Sequence, residues 1–180
     1  PQIYTMRADG TKVTRLTTGP RLDLEPNWSP DGAKIVFQRF ITPDVGVAGQ
    51  NIYTVKPDGS GLKQLTATPM KSNGDAKYSP DGSKIAFASN RDGPVGIYVM
   101  NADGSNPIRL TRFPDDVHAG DMSWLPDGGK IIFERAVITF NGSVPVSSQA
   151  EIWVMNADGS GQMSLGLKCD PNACSPRWQP

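Results

Sequence analysis

The stretch that decides the fold is KYSPDGSKIAF at residues 77–87, because it recurs with the same internal order elsewhere in the chain. The other copies read NWSPDGAKIVF at residues 27–37 and SWLPDGGKIIF at residues 123–133. A shortened copy, PRWQP, occupies residues 176–180. Recurrence at a spacing of roughly 45–55 residues is typical of repeat architectures. The chain is therefore predicted to use one structural unit several times.

A second motif alternates with the first and completes the unit. It reads IYTMRADGT at 3–11, IYTVKPDGS at 52–60, IYVMNADGS at 97–105 and IWVMNADGS at 152–160. Alternating apolar residues predict strands, and the Pro-Asp-Gly and Ala-Asp-Gly groups predict tight turns between them. Each unit is predicted to be an antiparallel meander of four strands. We name them strand A (ending in the aromatic residue), B (KIAF), C (IYVM) and D (IRL), from the middle copy.

A single sheet of this kind leaves an apolar face uncovered, and stacking such sheets around an axis covers it. The prediction is an all-β protein, a β-propeller with about four blade-equivalents in a single domain or propeller fragment at 1–180. Complete repeats are expected at about 24–66, 74–111 and 120–165. The fourth blade is split between 1–17 and 175–180, since its strands C and D come first and its strand A comes last.

Three arrangements remain open for the split blade, because its strand B is missing from the sequence. The favoured one is a fragment of a larger ring. The others are a homodimer in which two chains complete one ring, and closure on four imperfect blades. Pairing of terminal strands is the usual way in which a propeller removes its sheet edges.

Composition argues against several classes of function. The 180 residues carry 18 Lys and Arg against 18 Asp and Glu, a formal net charge of zero. Binding to nucleic acid or to an anionic membrane surface needs an excess of positive charge, so neither is expected. No run of about 18 apolar residues is present to span a membrane. The GxSxG, P-loop and HExxH motifs are also absent from the sequence, and no enzymatic activity is predicted.

The meander separates two faces. The short A–B and C–D turns lie on one face, here called the turn face, and the B–C and D–A connections lie on the other, the loop face. The B–C connections vary widely, at 39–50, 89–96 and 135–150. Variable loops on a rigid scaffold commonly carry binding sites. The loop face is therefore the predicted functional face.

Acidic residues recur three positions before the aromatic residue of strand A: Glu25, Asp75 and Asp121, with Ser175 in the shortened copy. Strand A is the innermost strand, so these residues are expected at the mouth of the central channel. Three interpretations stay open: capping of a turn, attraction of a basic peptide, and binding of Ca²⁺ or another divalent cation. His118 lies nearby in PDDVHAGD, either as a solvated loop residue or as a ligand or general base at the same mouth.

The two cysteines, Cys169 and Cys174, lie in a segment rich in turn-forming residues. They are either two reduced thiols or a small disulfide-closed loop, and the second alternative fits an oxidising compartment. A zinc site would need two further ligands, and the chain has a single histidine.

The SPDG-K-I-x-F signature followed by I-Y-x-M-N-A-D-G-S resembles the PD40 (WD40-like) repeat of the TolB-like β-propeller family. Tyr78 stands where that repeat has Trp, Leu125 replaces Ser, and Gln179 takes the Ser position of the last copy. The resemblance implies a bacterial protein in the periplasm or secreted, a non-catalytic module that binds a protein or peptide. Its alternative is the gating propeller of a larger prolyl-oligopeptidase-like hydrolase.

Overall fold

The computed structural model describes residues 1–40, 49–141 and 144–169, and the side chains of 140–148 are left out of the description. All regular structure within these ranges is β-strand. The strands are β1 Tyr4–Thr5, β2 Thr14–Arg15, β3 Asp23–Trp28, β4 Ile35–Phe40, β5 Gln50–Val55, β6 Lys63–Gln64, β7 Asn73–Tyr78, β8 Lys84–Ser89, β9 Gly96–Asn101, β10 Ile108–Arg109, β11 Val117–Trp124, β12 Lys130–Asn141, β13 Val144–Asn156 and β14 Met163–Cys169.

The strands form three antiparallel four-stranded meanders in chain order. The first blade is β3–β6, the second β7–β10 and the third β11–β14, and β1 pairs with β2 in a two-stranded sheet, here called the partial blade. The all-β propeller fold is thus confirmed. The partial blade supplies the predicted strands C and D of the split blade, whereas the segment predicted to complete it, 175–180, lies outside the described residues.

The Ser-Pro-Asp-Gly turns are closed by their own side chains. In the first blade Asp31 Oδ1 accepts hydrogen bonds from Ser29 Oγ at 2.6 Å and from the Ala33 backbone N–H at 3.0 Å. Gly32 takes a φ of 67°, a conformation that costs glycine little. Asp81 repeats this arrangement, and its hydrogen bonds, first that from Ser79, lower its pKa to about 2. These aspartates are structural, as their recurrence with the turn predicts.

The core lies between blades, because each sheet buries apolar side chains against its neighbour. Val36 and Ile52 of the first blade pack in one cluster with Tyr78 and Phe87 of the second. A second cluster joins strands of the second and third blades, and a third joins the partial blade to the first. Burial of these faces is the dominant force that holds the blades together.

One glycine in each C–D turn permits close approach of the preceding blade. A Cβ placed there would lie about 3 Å from the carbonyl oxygen of a strand-D leucine: 3.2 Å for Gly59 and Leu16, 2.9 Å for Gly104 and Leu65, and 3.0 Å for Gly159 and Leu110. All three glycines have positive φ. The turn therefore needs glycine both for its backbone conformation and for the contact between blades.

The predicted B–C loop at 135–150 is corrected by the structure. β12 and β13 continue as a paired hairpin out to the Asn141–Val144 pair, beyond the length of the other blades. The segment AVITF is rich in β-branched and aromatic residues, which favours strand over loop. The connection at 89–96 lies between β8 and β9 as predicted, and most of the connection at 39–50 lies outside the described residues.

Candidate functional site

The inner strands of successive blades meet in the described part of the chain. Strand β7 contacts β3 and β4 of the first blade, and β11 contacts β7 and β8 of the second. This succession is expected of strands A arranged around a common axis. The loop-side ends of these strands are the predicted position of the channel mouth.

The three acidic residues occupy the same backbone irregularity in each blade. The strand registers shift between Leu24 and Asn27, between Gly74 and Lys77, and between Gly120 and Met122, so each inner strand carries a β-bulge. At the bulge Glu25, Asp75 and Asp121 have φ values of 51°, 50° and 38°. Left-handed backbone is uncommon for residues other than glycine, and bulges often re-aim a side chain. The repeat therefore places one carboxylate per blade at an equivalent point.

Asp75 connects all three blades. Its backbone N–H donates to Gln38 Oε1 of the first blade at 2.9 Å. Its Oδ2 accepts from the Met122 backbone N–H of the third blade at 3.0 Å, and its Oδ1 pairs with Lys77 Nζ. The carboxylate thus satisfies a backbone donor at the next bulge, which is the role that the capping interpretation describes. Glu25 and Asp121 are exposed.

Glu134, a residue that sequence reasoning missed, adds a fourth carboxylate to this region. It lies on β12 opposite Gly120, next to the bulge at Asp121. Burial, and secondarily the charge of Asp121, raises the pKa of Glu134 to about 7. Nothing in the sequence distinguishes Glu134, because its environment comes from a strand pairing and not from a motif.

His118 lies on β11 opposite Ala136 and is half-buried. Within residues 1–40, 49–141 and 144–169 no group of three or more His, Cys, Asp or Glu side chains is arranged to hold a metal ion. Divalent-cation binding by Glu25, Asp75 and Asp121 therefore remains a prediction.

Cys169 ends β14 and is disulfide-bonded. Cys174 lies outside the described residues, as does Ser175, the fourth position of the acidic series.

An arginine stacks on an aromatic pair at the loop side of each blade, a regularity that the sequence motifs did not reveal. The guanidinium carbon of Arg39 lies 5.5 Å from the ring centre of Phe37 and 5.0 Å from that of Tyr53. Arg91 lies 4.9 Å from the ring centre of Phe87 and 5.1 Å from that of Tyr98. Arg135 lies 5.0 Å from Trp153 on β13 and 5.2 Å from Phe113, which lies on the connection that leads into the third blade. In the first two blades these cation–π contacts involve aromatic residues of strands B and C, and in the third blade they involve strand C and the preceding connection.

The turn face carries two grooves between blades, although its turns are short. A groove of about 440 Å³ runs between the turns of the second and third blades, and one of about 380 Å³ between those of the first and second. Tyr78 lines the smaller groove, and its hydroxyl is buried without a hydrogen-bond partner among the described residues. Trp124, at the same position of the third blade, donates its indole N–H to the Lys77 carbonyl at 3.2 Å. The described ranges hold no helix that could cross a membrane.

The stacked meanders define the chain as a β-propeller, and comparisons with known proteins narrow the class. No family model matches. An uncharacterized protein of Agrobacterium fabrum is 31% identical over 144 residues, with 74% of this chain and 46% of that protein covered. A TolB homolog of Chlorobium luteolum is 32% identical over 164 residues, with 69% and 37% covered. The chain spans less than half the length of these relatives.

A solved structure assigned to TolB of Agrobacterium tumefaciens superposes with a TM-score of 0.70 at 27% identity, covering 91% of this chain and 56% of that one. The chain therefore has a TolB-like β-propeller fold. Two further matches are to proteins named as a peptidase and a hydrolase. An uncharacterized peptidase of Bacillus subtilis is 28% identical over 110 residues, with 60% of this chain and 16% of that protein covered. The fold of puromycin hydrolase is also similar, at a TM-score of 0.67 and 18% identity over 87% of this chain and 24% of that one.

Proposed function

We propose that this chain is a non-catalytic module of TolB type that binds a protein or peptide through its loop face and channel mouth. The observation that carries the proposal is the repeated bulge, which directs Glu25, Asp75 and Asp121 from equivalent points of three inner strands. The TolB-like relatives support a binding role over a catalytic one. Carboxylates that recur at equivalent points of the inner strands favour a ligand with positive charge.

We further propose an extracytoplasmic location in a bacterium, in the periplasm or outside the cell. Two observations support it: the relative named as a TolB homolog is bacterial, and Cys169 is disulfide-bonded. Disulfides persist in oxidising compartments and are rare in the bacterial cytosol.

The binding proposal is tested by selecting displayed random peptides on the immobilised chain and measuring the affinity of the winners. The double variant Glu25→Gln/Asp121→Asn removes two exposed carboxylates and spares Asp75, which holds the Met122 backbone. We expect it to bind the selected peptides about tenfold more weakly, as loss of charge pairing at a partly exposed site suggests. The matched control is Asp103→Asn on the turn face. Equal affinity for all three proteins would overturn the proposal.

A divalent cation at the channel mouth is a separate proposal. Carboxylate oxygens from Glu25, Asp75 and Asp121 are suitable ligands for Ca²⁺. Calorimetric titration with Ca²⁺, Mg²⁺ and Mn²⁺ tests it, and the absence of heat at millimolar metal would remove it.

A homodimer that completes one larger ring is the third proposal, since the partial blade has two strands among the described residues where the other blades have four. Light scattering on a sizing column gives the mass directly. A monomeric mass at all concentrations tested would exclude the dimer.

The second candidate function is the gating propeller of a larger hydrolase. It is favoured by the Bacillus subtilis relative, which is named a peptidase. The matched region makes up only 16% of that protein. In such a protein a separate α/β domain would carry the nucleophile. Reading the coding region beyond Pro180 distinguishes this candidate from the binding module. A domain there with a GxSxG motif, whose serine is needed for ester hydrolysis, would favour the gating propeller.

A further inference from the structure

The loop-side arginine of the third blade is more accessible than its counterpart in the first blade. Arg39 and Tyr53 of the first blade are both 8% exposed, and Phe37 is fully enclosed. Arg135 and Trp153 of the third blade are partly exposed. The same stacking of a guanidinium on aromatic rings is therefore buried in one blade and partly open to solvent in another.

Two aromatic rings hold the guanidinium of Arg135 in place. Its carbon lies 5.0 Å from the ring centre of Trp153 and 5.2 Å from that of Phe113, which is also partly exposed. The two rings contact each other edge-on, with 6.4 Å between their centres. A guanidinium that is already stacked in this way loses little further freedom when it binds a ligand.

The terminal nitrogens of Arg135 are the donors that a ligand in solvent can reach. Nε is buried, whereas Nη1 and Nη2 are not enclosed and make no hydrogen bond to any described residue. A guanidinium presents its N–H groups in a fixed fork that matches the two oxygens of a carboxylate. The exposed end of Arg135 is therefore suited to an anionic group that approaches from outside the blade.

The first blade shows which chemical group this position accepts. Arg39 Nε and Nη2 donate to the two carboxylate oxygens of Asp23 on β3. At the same register position β11 has Ala119, whose methyl group accepts no hydrogen bond. The inner strand of the second blade also supplies an acceptor, since Asn73 Oδ1 accepts from Arg91 Nη2 at 2.7 Å. Within the described ranges only the inner strand of the third blade supplies none.

One acidic residue of the third blade lies near Arg135 without pairing with it. Glu151 is the cross-strand neighbour of Arg135 on β13. These two described side chains form no ion pair, and Glu151 Oε2 instead accepts hydrogen bonds from Ser164 Oγ and Trp153 Nε1. Glu151 is thus a fixed negative charge that opposes an anionic ligand at Arg135.

We propose that Arg135, stacked on Trp153 and Phe113, binds a carboxylate of the peptide partner through its Nη groups. The carboxylate belongs to an aspartate or glutamate side chain or to a chain terminus, and it takes the role that Asp23 has in the first blade. Tryptophan and arginine are also the residue types that contribute most to the affinity of protein interfaces. The inference rests on the proposed peptide-binding function and adds a negative group to the partner.

The test uses the full chain labelled with ¹⁵N and three small probes. Nα-acetyl-glutamate amide carries a side-chain carboxylate, acetyl-alanyl-alanine carries a terminal one, and Nα-acetyl-glutamine amide has the shape of the first without its charge. We expect a carboxylate probe to shift the indole N–H signal of Trp153 and the Nε–H signal of Arg135 in a saturable manner. The glutamine probe should leave both signals unchanged. The carboxylate probe that binds more tightly identifies the source of the carboxylate.

Two substitutions at the site are expected to act in opposite directions, as followed by the Trp153 signal. Arg135→Gln removes the guanidinium and should weaken the preferred probe about tenfold, since a hydrogen bond between charged groups is lost. Glu151→Gln removes the opposing charge and keeps an acceptor for Ser164, so it should strengthen the probe about twofold. The matched control Arg112→Gln removes an exposed arginine of the connection that leads into the third blade, and it should leave the affinity unchanged.

The absence of a shift with either carboxylate probe, or an equal shift with the glutamine probe, would overturn the inference. So would an equal loss of affinity in the Arg112 and Arg135 variants. Displayed peptides that bind the Arg135→Gln chain as tightly as the original chain would also overturn it, and the proposed binding function would stand. A selection that yields no binding peptide would remove the binding function, and the inference with it.

Discussion

The first and third blades carry the same cation in two different electrostatic settings. Arg39 and Arg135 occupy the same register position of strand B, and both stack on aromatic rings. Arg39 lies opposite Asp23 and binds both of its carboxylate oxygens, at 2.6 and 2.7 Å. Arg135 lies opposite Ala119, and its buried Nε has no hydrogen-bond partner among the described residues.

The third blade has an acidic residue that could pair with Arg135, but its carboxylate accepts hydrogen bonds from other side chains. Glu151 lies opposite Arg135 on β13. Its Oε2 accepts a hydrogen bond from Ser164 Oγ at 3.0 Å and a longer one from Trp153 Nε1. The repeat therefore positions the guanidinium, and single side chains on neighbouring strands decide whether it is paired. Four substitution experiments test how far this difference extends.

The largest difference in stability between the two blades is expected when their arginines are replaced one at a time. Arg39→Met leaves Asp23, which is 1% exposed, as an uncompensated buried charge, and should cost about 3–5 kcal/mol of unfolding free energy. Arg135→Met leaves no paired acid behind within the described part of the chain and should change stability by less than about 1 kcal/mol. Urea denaturation of both variants measures the difference. Equal costs would mean that the two blades do not differ in the way described.

The second effect concerns the glycine of the C–D turn, which the first and third blades share. Gly59→Ala and Gly159→Ala each place a Cβ near a leucine carbonyl of the preceding blade at positive φ, and each should cost about 1–3 kcal/mol. Gly10 in the partial blade has a φ of 81°, and no heavy atom of the described residues lies within 4 Å of its Cβ position. Gly10→Ala should therefore cost only about 1 kcal/mol, the backbone contribution alone. Thermal denaturation compares the three, and an equal cost at Gly10 would contradict the role of the contact.

The third effect is a pH dependence confined to the third blade. Gln38 and Glu134 occupy equivalent positions, and the pKa of Glu134 is raised from 4.5 to about 7 by burial and by Asp121. The folded state binds the proton more tightly than the unfolded state, so stability falls as pH rises from about 4.5 to about 7. Because the group is half-exposed, the screened effect is on the order of 1 kcal/mol.

Glu134→Gln gives the third blade the amide of the first and should remove this slope. Unfolding free energies measured between pH 4.5 and pH 7 test the prediction. Asp115→Asn serves as control, since it alters an exposed carboxylate on the connection that leads into the third blade. A slope that persists in the Glu134 variant would assign the pH dependence to another group.

The smallest change in stability is expected from a substitution in the second blade, at Tyr78. Burial, and secondarily the charge of Asp31, raises the pKa of Tyr78 to about 12, and its hydroxyl lacks a partner among the described residues. Tyr78→Phe removes an unsatisfied group and should stabilise the protein by about 0.5–1 kcal/mol. Trp124→Phe, which deletes a formed hydrogen bond and part of a buried ring, should be destabilising. Loss of stability in Tyr78→Phe would show that the hydroxyl is satisfied in solution.

Much of the fold and part of the site follow from the residues themselves. The turns at Asp31 and Asp81, the four-strand order and the equivalence of Glu25, Asp75 and Asp121 were all predicted, because they repeat and each copy supports the others. Variation between copies predicts a loop at 135–150, and this prediction is wrong because the β-branched and aromatic residues of the segment favour paired strands. The left-handed bulge at each acid was not foreseen, because nothing in strand A marks it.

The sequence alone determines the blade and its turns, since these depend on the local chemistry of proline, aspartate and glycine and on an apolar period of two. Tertiary packing decides which polar groups meet: Asp75 with the Met122 backbone across two blades, and Arg39 with Asp23 on neighbouring strands of the first blade. Those meetings join residues that are distant along the chain, and their energies depend on burial, which a sequence pattern does not report.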